Sequence, residues 1–318
     1  MKVIEAEEVQ RALDFPSLVA ALRTAFGAPA GTPRRTVYQL AEGDPFHDAF
    51  AVLPAWTEEV IGVKAFTYLP SNVPKGRQIL HAKILLFDRG TGEPLALVDG
   101  TTVTYWRTAA VAALAADFLA RRDAKQLLFC GTGKLAPYMI LAHAAVRSYE
   151  NVMVWGRSPE KVSQTIAAVK MHRPELRLGI VESLESAARE ADVISCATGA
   201  RAPLILGDWV RPGTHADFFG NHERGARECD TRLIEKATLY VDSRVNTLNE
   251  AGEILIPIEE GRVREDHILG ELADLCSGRV RGRTGADQIT AFKSVGTALS
   301  DLAAAHLVAQ RSSSGGPR

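Results

Sequence analysis

Residues 127 to 158, LLFCGTGKLAPYMILAHAAVRSYENVMVWGRS, constrain the fold of this chain more than any other stretch. Leu127 to Cys130 form a short apolar run of the kind buried on both faces of a parallel sheet, and Gly131-Thr132-Gly133-Lys134-Leu135-Ala136 follows directly. The pattern is GxGxxA. Its first glycine allows a tight turn, its second lets a pyrophosphate approach the backbone, and Ala136 lets a helix pack closely on its strand. The start of that helix offers N–H groups and a positive dipole end to phosphate. Pro137 falls in the first turn, where no intrahelical hydrogen bond is lost. Asn151 to Trp155 reads as a second strand. A glycine triplet alone is weak, because such turns also cap ordinary helices; strand, turn, amphipathic helix and strand together predict a βαβ dinucleotide-binding unit.

The residues after the second strand bear on which dinucleotide. A unit that prefers NAD usually carries Asp or Glu roughly 20 residues past the glycines, on the ribose 2′-hydroxyl. Here the residues are Gly156-Arg157-Ser158. An arginine and a hydroxyl suit a 2′-phosphate, so NADP(H) is expected over NAD(H); the alternative is that Arg157 is a solvated loop charge.

With 318 residues, 46% hydrophobic, 24% charged and a net charge of −1, the chain has ample core for two domains and no basic excess for nucleic acid. No apolar stretch reaches the roughly 18 residues of a membrane helix; Ala109 to Ala120 is interrupted by Asp117. The first residues, MKVIEAEEVQ, are acidic and lack the apolar core of a secretory signal. Cys130, Cys196, Cys229 and Cys276 are widely spaced, which points to reduced thiols in the cytoplasm rather than metal ligands.

Along the chain, residues 7 to 26 predict two short surface helices broken near Pro16. Strand-like patterns follow at Arg35 to Leu53, Val60 to Phe66, Ile79 to Asp88 and Pro94 to Asp99, the last two flanking the turn 89 to 92. A helix is expected from near Thr104, with Arg107 and Thr108 in its first turn. Beyond the βαβ unit, Leu178 to Val181, Asp192 to Thr198, His215 to Phe219 and Tyr240 to Asp242 read as strands between helices. Ligands of such sheets lie beyond the strands' carboxyl ends, which places Thr198, Gly199, Phe219 and the Gly220-Asn221-His222 turn on the cofactor side. Ile289 to Lys293 predicts one more strand, and a helix from Ser294 to Gln310 is expected to return to the first domain ahead of a low-complexity tail, SSSGGPR.

Several stretches together resemble the ornithine cyclodeaminase and mu-crystallin family. They are Leu53-Pro54-Ala55, Gly62-Val63-Lys64, residues 85 to 100, Arg107-Thr108-Ala109-Ala110, Gly131 to Ala136, residues 191 to 198, residues 207 to 215, and Lys293-Ser294-Val295-Gly296. The likeness runs from about Val37 to Leu307. It implies an α/β chain in which a Rossmann-type NAD(P)-binding domain, 108–290, is joined to an α+β substrate-binding and dimerisation domain, 1–107 with 291–318. It also implies a homodimer acting on the α-carbon of small amino or imino acids. Lys64 and Arg107 correspond to ligands of the substrate carboxylate, with Arg35, next to Arg34, as a third positive contact. Lys293 and Ser294 fall on the cofactor side.

Two residues depart from the family pattern. His222 stands where cyclodeaminases carry an aspartate, which weakens the case for ornithine cyclodeamination; it either relays a proton or contacts the nicotinamide end. His81 stands where an uncharged polar residue is common near the substrate, and is equally readable as a strand histidine satisfied by a neighbour. The resulting expectation is NADPH-dependent reduction of a small cyclic imino acid such as Δ1-pyrroline-2-carboxylate. The alternatives are an ornithine cyclodeaminase, releasing proline and ammonia, and a non-catalytic NADPH-binding protein.

Overall fold

The computed structural model describes residues 1–43 and 48–314. The elements begin β1 (Lys2–Ile4), α1 (Ala6–Ala12), α2 (Phe15–Gly27), β2 (Thr36–Gln39), β3 (Ala49–Trp56), β4 (Val60–Tyr68), β5 (Leu80–Asp88), β6 (Pro94–Asp99) and α3 (Gly100–Leu119). A glycine turn then connects β7 (Gln126–Cys130) to α4 (Ala136–Val146), followed by β8 (Asn151–Trp155), α5 (Pro159–Lys170), β9 (Leu178–Ile180), α6 (Leu184–Glu190) and β10 (Val193–Cys196). The remainder is β11 (His215–Phe218), α7 (Thr231–Lys236), β12 (Thr238–Val241), α8 (Arg244–Glu250), α9 (Gly252–Glu259), β13 (Ile268–Glu271), α10 (Leu272–Ser277), β14 (Thr290–Lys293) and α11 (Ala298–Ser314). The chain divides into two compact units, Met1–Arg107 with Thr297–Arg318, and Thr108–Gly296.

The first unit is built on a six-stranded sheet ordered β1-β6-β5-β4-β3-β2, with α1, α2 and α11 on one face. Alternation decides what that face buries: Ala51, Leu53 and Ala55 on β3, Val60, Gly62 and Lys64 on β4, and Ala82, Ile84 and Leu86 on β5. Gly62 is required by the helix above it, since a Cβ there would lie 2.5 Å from Leu302 Cδ1. The helix stripe Leu299, Leu302, Ala305 and Val308 answers the sheet at successive i+3 spacing. The break between the first two helices falls at Asp14, which caps α2 by accepting from Ser17 N at 2.9 Å and leaves Pro16 in the first turn. These are not wholly surface helices, for Phe15, Leu18, Leu22 and Phe26 are buried.

The second unit is an eight-stranded sheet ordered β13-β12-β14-β11-β10-β7-β8-β9, with every pairing parallel. It is an α/β, Rossmann-like fold. The order grows outward in both directions from β7 and β10, so a crevice opens between their carboxyl ends. Among the described residues no helix is long and apolar enough to cross a membrane.

Three further expectations are corrected. Helix α3 begins at Gly100, because Asp99 Oδ1 accepts from Thr102 N at 2.8 Å, so Arg107 sits about two turns inside it. Strand β14 pairs with β11 and β12, so the return to the first unit starts at Thr297 and not at 291. Strand β13, which the sequence reading did not include, adds beyond β12 at that end of the sheet. Helix α11 continues through Ser312 to Ser314, leaving only 315–318 of the expected tail outside the described residues; the strand expected over 35 to 53 likewise includes 44–47, also outside them.

Candidate functional site

In the first unit, Lys64, Arg107 and Asp301 converge although they come from a strand and two helices. They are 3%, 9% and 1% exposed. Lys64 is buried because strand alternation turns it toward α11, and Asp301 because it falls on that helix's apolar stripe. Lys64 Nζ donates to Asp301 Oδ1 at 2.9 Å and to Thr104 Oγ1 at 2.7 Å, and Arg107 Nε donates to the same Oδ1 at 3.0 Å. Two cations thus share one carboxylate oxygen, and Asp301 Oδ2 has no hydrogen-bond partner among the described residues. Burial lowers Lys64 to about 8, Asp301 opposing and the charges of Arg107 and Arg35 adding to the shift. Burial raises Asp301, but Arg107 and Lys64 outweigh it and hold the carboxyl below its usual range.

A dry cluster with an excess of positive charge suits an anionic ligand. Arginine and lysine supply different parts: a planar fork for bidentate bonds, and a point charge. Arg35 is half-buried and its charge acts on Lys64, whereas Arg34 is exposed. His81 is exposed and pairs with Thr67, whose parity on β4 is opposite to that of Lys64; it therefore lies on the other sheet face.

In the second unit, the residues expected on the cofactor side fall at the carboxyl ends of five adjacent strands, β14, β11, β10, β7 and β8. Gly131 adopts φ 139°, and a Cβ there would meet Ala197 O at 2.7 Å. A Cβ on exposed Gly133 would meet nothing within 4 Å, which leaves the approach to this turn open for a pyrophosphate. Thr132 packs so near Gly156 that a Cβ would lie 2.4 Å from its Cγ2, while exposed Lys134 and half-buried Leu135 lead into buried Ala136. Arg157 is exposed at the tip of β8, and Ser158 caps α5 by accepting from Lys161 N at 3.4 Å. The residues present therefore fit a dinucleotide: the glycine turn and helix start would hold its pyrophosphate, and Arg157 and Ser158 at the tip of β8 would be available to its adenosine ribose. Thr108 lies within α3, apart from these strand ends in sequence.

Behind the other strand ends lies a second buried cluster, of opposite balance. Glu228 Oε1 accepts from Thr198 N at 2.7 Å and Thr198 Oγ1 at 2.8 Å, and Oε2 accepts from Gly220 N at 2.8 Å. Lys293 Nζ pairs with Glu253 Oε2 at 2.9 Å and donates to Asn221 O at 2.7 Å. Burial pushes Glu228 up to about 7; Lys293 and the backbone donors oppose this, and Glu253 adds to it. Ser294 Oγ donates to Asp242 Oδ2 at 2.6 Å, an oxygen that also takes the amides of Val295 and Gly296. Phe219 lies against Phe292 with ring centroids 5.9 Å apart, Gly199 is exposed, and His222 is exposed on the loop that follows Gly220.

Asp301, Glu228 and Glu253 were not among the residues singled out in the sequence. For Asp301 a signal exists: it interrupts an apolar stripe in ALSDLAAAHLV, where a buried carboxylate must have partners. Nothing in local pattern marks Glu228, because its donors are the backbone amides of Gly220 and Thr198 and a hydroxyl 30 residues away.

Four likenesses bear on this geometry. A family model described as the ornithine cyclodeaminase/mu-crystallin family matches residues 2–316. A Δ1-pyrroline-2-carboxylate reductase of Colwellia psychrerythraea is 50% identical over 313 residues, covering 98% of this chain and 99% of that protein. The structure of Thermococcus litoralis Δ1-pyrroline-2-carboxylate reductase with NADH and L-proline superposes with a TM-score of 0.93 at 32% identity, covering 99% of this chain and 98% of that one. An archaeal alanine dehydrogenase dimer with bound NAD gives a TM-score of 0.91 at 25% identity over 99% and 96% of the two chains.

Proposed function

The chain belongs to the ornithine cyclodeaminase/mu-crystallin family, and from that premise we propose that it reduces a small cyclic imino acid, Δ1-pyrroline-2-carboxylate or a similar ketimine, to the corresponding amino acid. The observation that carries the proposal is the cluster in which Lys64 and Arg107 share one oxygen of Asp301. Such a cluster is completed by a carboxylate. Reduction adds a hydride to the imine carbon and leaves the nitrogen with a proton, and a bound nicotinamide dinucleotide supplies the hydride. Lys64 and Arg107 hold the carboxylate, so the planar C=N group presents one carbon in a fixed orientation. Asp301 holds both cations in place; the remaining donors of Arg107 face the ligand. Where the imine arrives unprotonated, His222 supplies or relays the proton, and where it arrives protonated His222 has only to keep its place.

NADPH is the proposed donor, supported by Arg157 and Ser158 at the tip of β8. The proposed assembly is a homodimer formed through the face of the first sheet opposite its helices, where Val52, Pro54, Val63, Leu85, Phe87 and Leu97 remain only half-buried. That proposal draws support from the likeness to a dimeric alanine dehydrogenase. Cys130, Cys196, Cys229 and Cys276 form no disulfide among the described residues, which suits a reducing compartment such as the cytoplasm.

One assay tests the reaction. The protein is supplied with Δ1-pyrroline-2-carboxylate and NADPH, and separately with L-ornithine and catalytic NAD(P). Loss of reduced nicotinamide with the imine, and no ammonia from ornithine, is the expected result. Ammonia release without net cofactor turnover assigns the chain to the cyclodeaminases instead. Tight NADPH binding with no turnover of any imine leaves it a binding protein.

A further inference from the structure

We infer that Glu228 is a positioning residue, whose carboxylate clasps the turns that follow β10 and β11 and so fixes the loop carrying His222. One oxygen takes both donors of Thr198, after β10, and the other takes the amide of Gly220, after β11. The two turns are in direct contact, for a Cβ on Gly220 would lie 1.9 Å from Thr198 O. Asn221 Nδ2 staples them again by donating to Ala200 O. Lys293, at the end of β14, holds Asn221 O and Glu253, and Glu253 Oε1 in turn accepts from Glu228 N at 3.0 Å. The circuit therefore runs from Thr198 through Glu228, Gly220, Asn221, Lys293 and Glu253 back to Glu228. It ties three neighbouring strand ends together behind the loop.

Only a carboxylate can close it. Three donors meet two oxygens, and the amide isostere offers a single acceptor oxygen and turns an NH₂ group toward either Gly220 N–H or the Thr198 donors. Charge strengthens each bond in this dry site. Burial makes that charge costly to keep, and glutamine in its place would relieve the burial while releasing one turn. A residue of merely structural value would show loss of stability and loss of rate together. A positioning residue separates them.

The kinetic half of this inference rests on the reductase reading above; the structural half does not. The experiment compares the full chain with Glu228→Gln and with Glu228→Asp, which keeps the charge on a shorter arm. Amide exchange is read first, without substrate, in peptides covering 197–200 and 219–222, with 126–130 in β7 as the reference. Both variants are expected to exchange at least about tenfold faster at 219–222 and unchanged at 126–130, the signature of local opening. The melting temperature and the NADPH dissociation constant should stay close to wild type, while kcat for imine reduction falls by about 10²-fold, the effect of a misplacement of roughly 1 Å. Wild-type exchange at 219–222 in either variant overturns the inference. Faster exchange throughout the unit with a fall in melting temperature also overturns it, because the residue would then be structural. If the unmutated protein reduces no imine, the reductase reading falls and the exchange result alone decides the role of Glu228.

Discussion

The cluster of Lys64, Arg107 and Asp301 sets two cations against one carboxylate, whereas that of Lys293, Glu253 and Glu228 sets one cation against two. Both are buried, and each relies on charge-assisted bonds. The second completes itself with backbone donors, the amides of Thr198, Gly220 and Glu228. In the first, Lys64 is met beyond Asp301 by the hydroxyl of Thr104 alone, and Asp301 Oδ2 takes no hydrogen bond, among the described residues. On the proposed reading the difference separates a site from its support: the negative cluster meets its excess charge with backbone amides of the protein, and the positive one suits a carboxylate ligand.

The same substitution in each cluster should have opposite consequences. Lys64→Met leaves Arg107 and Asp301 as a matched pair, so stability should hold within about 1 kcal/mol, while kcat/KM for the imino acid drops about 10³-fold with loss of a desolvated charge partner. Lys293→Met leaves two buried carboxylates without their cation and should cost about 3–5 kcal/mol in denaturant unfolding. Equal destabilisation by both would break the contrast. Next in size, Arg107→Lys should lower kcat/KM by about 10²-fold, because an ammonium cannot reproduce the fork that meets Asp301 and a second carboxylate together. Unaltered kinetics in that variant would remove Arg107 from the substrate.

How much of this was legible beforehand follows the range of the interactions. The bounds of β6 and β8 could be read directly, since alternation or a closed apolar run between turn residues is local information. The start of α3 was misplaced because Gly100 is a poor helix former, yet the cap from Asp99 holds it. Lys64 and Arg107 were singled out through family resemblance, not periodicity. Asp301, which holds both, was missed because its partners lie far away in sequence, Lys64 by 237 residues, and Glu228, which joins two turns, because its partners are mostly backbone amides that no side-chain pattern marks. His81, singled out by the family resemblance, illustrates the converse, for strand parity puts it on the sheet face opposite Lys64.

Smaller effects sharpen the comparison further. Arg157→Ala should weaken NADPH by about 1.5 to 3 kcal/mol and leave NADH nearly untouched, as for a lost charged hydrogen bond; equal losses in a binding titration would make Arg157 a loop support. The two clusters should also respond to pH in opposite senses. Lys64 is lowered from 10.5 to about 8, so the cost of burying its charge is fully present below 8 and is relieved as pH rises from 8 toward 10.5. Glu228 is raised from 4.5 to about 7, so its cost is fully present above 7 and is relieved as pH falls toward 4.5. Catalysis follows the charge that the ligand needs: kcat/KM should fall by up to about tenfold per pH unit above 8, and Lys64→Arg, which does not titrate there, should abolish that limb. A limb that survives in Lys64→Arg belongs to another group.

The most direct test of the central claim is a comparison of kcat/KM for Δ1-pyrroline-2-carboxylate with that for 1-pyrroline, the same ring without its carboxylate. If Lys64 and Arg107 form a cluster that only an anion completes, the imine lacking the carboxylate should be poorer by about 10⁴-fold, as for a site whose buried polar groups lose their partner. Rates for the two imines within about tenfold of each other would contradict the account, since one methylene of hydrophobic contact alone achieves that much discrimination.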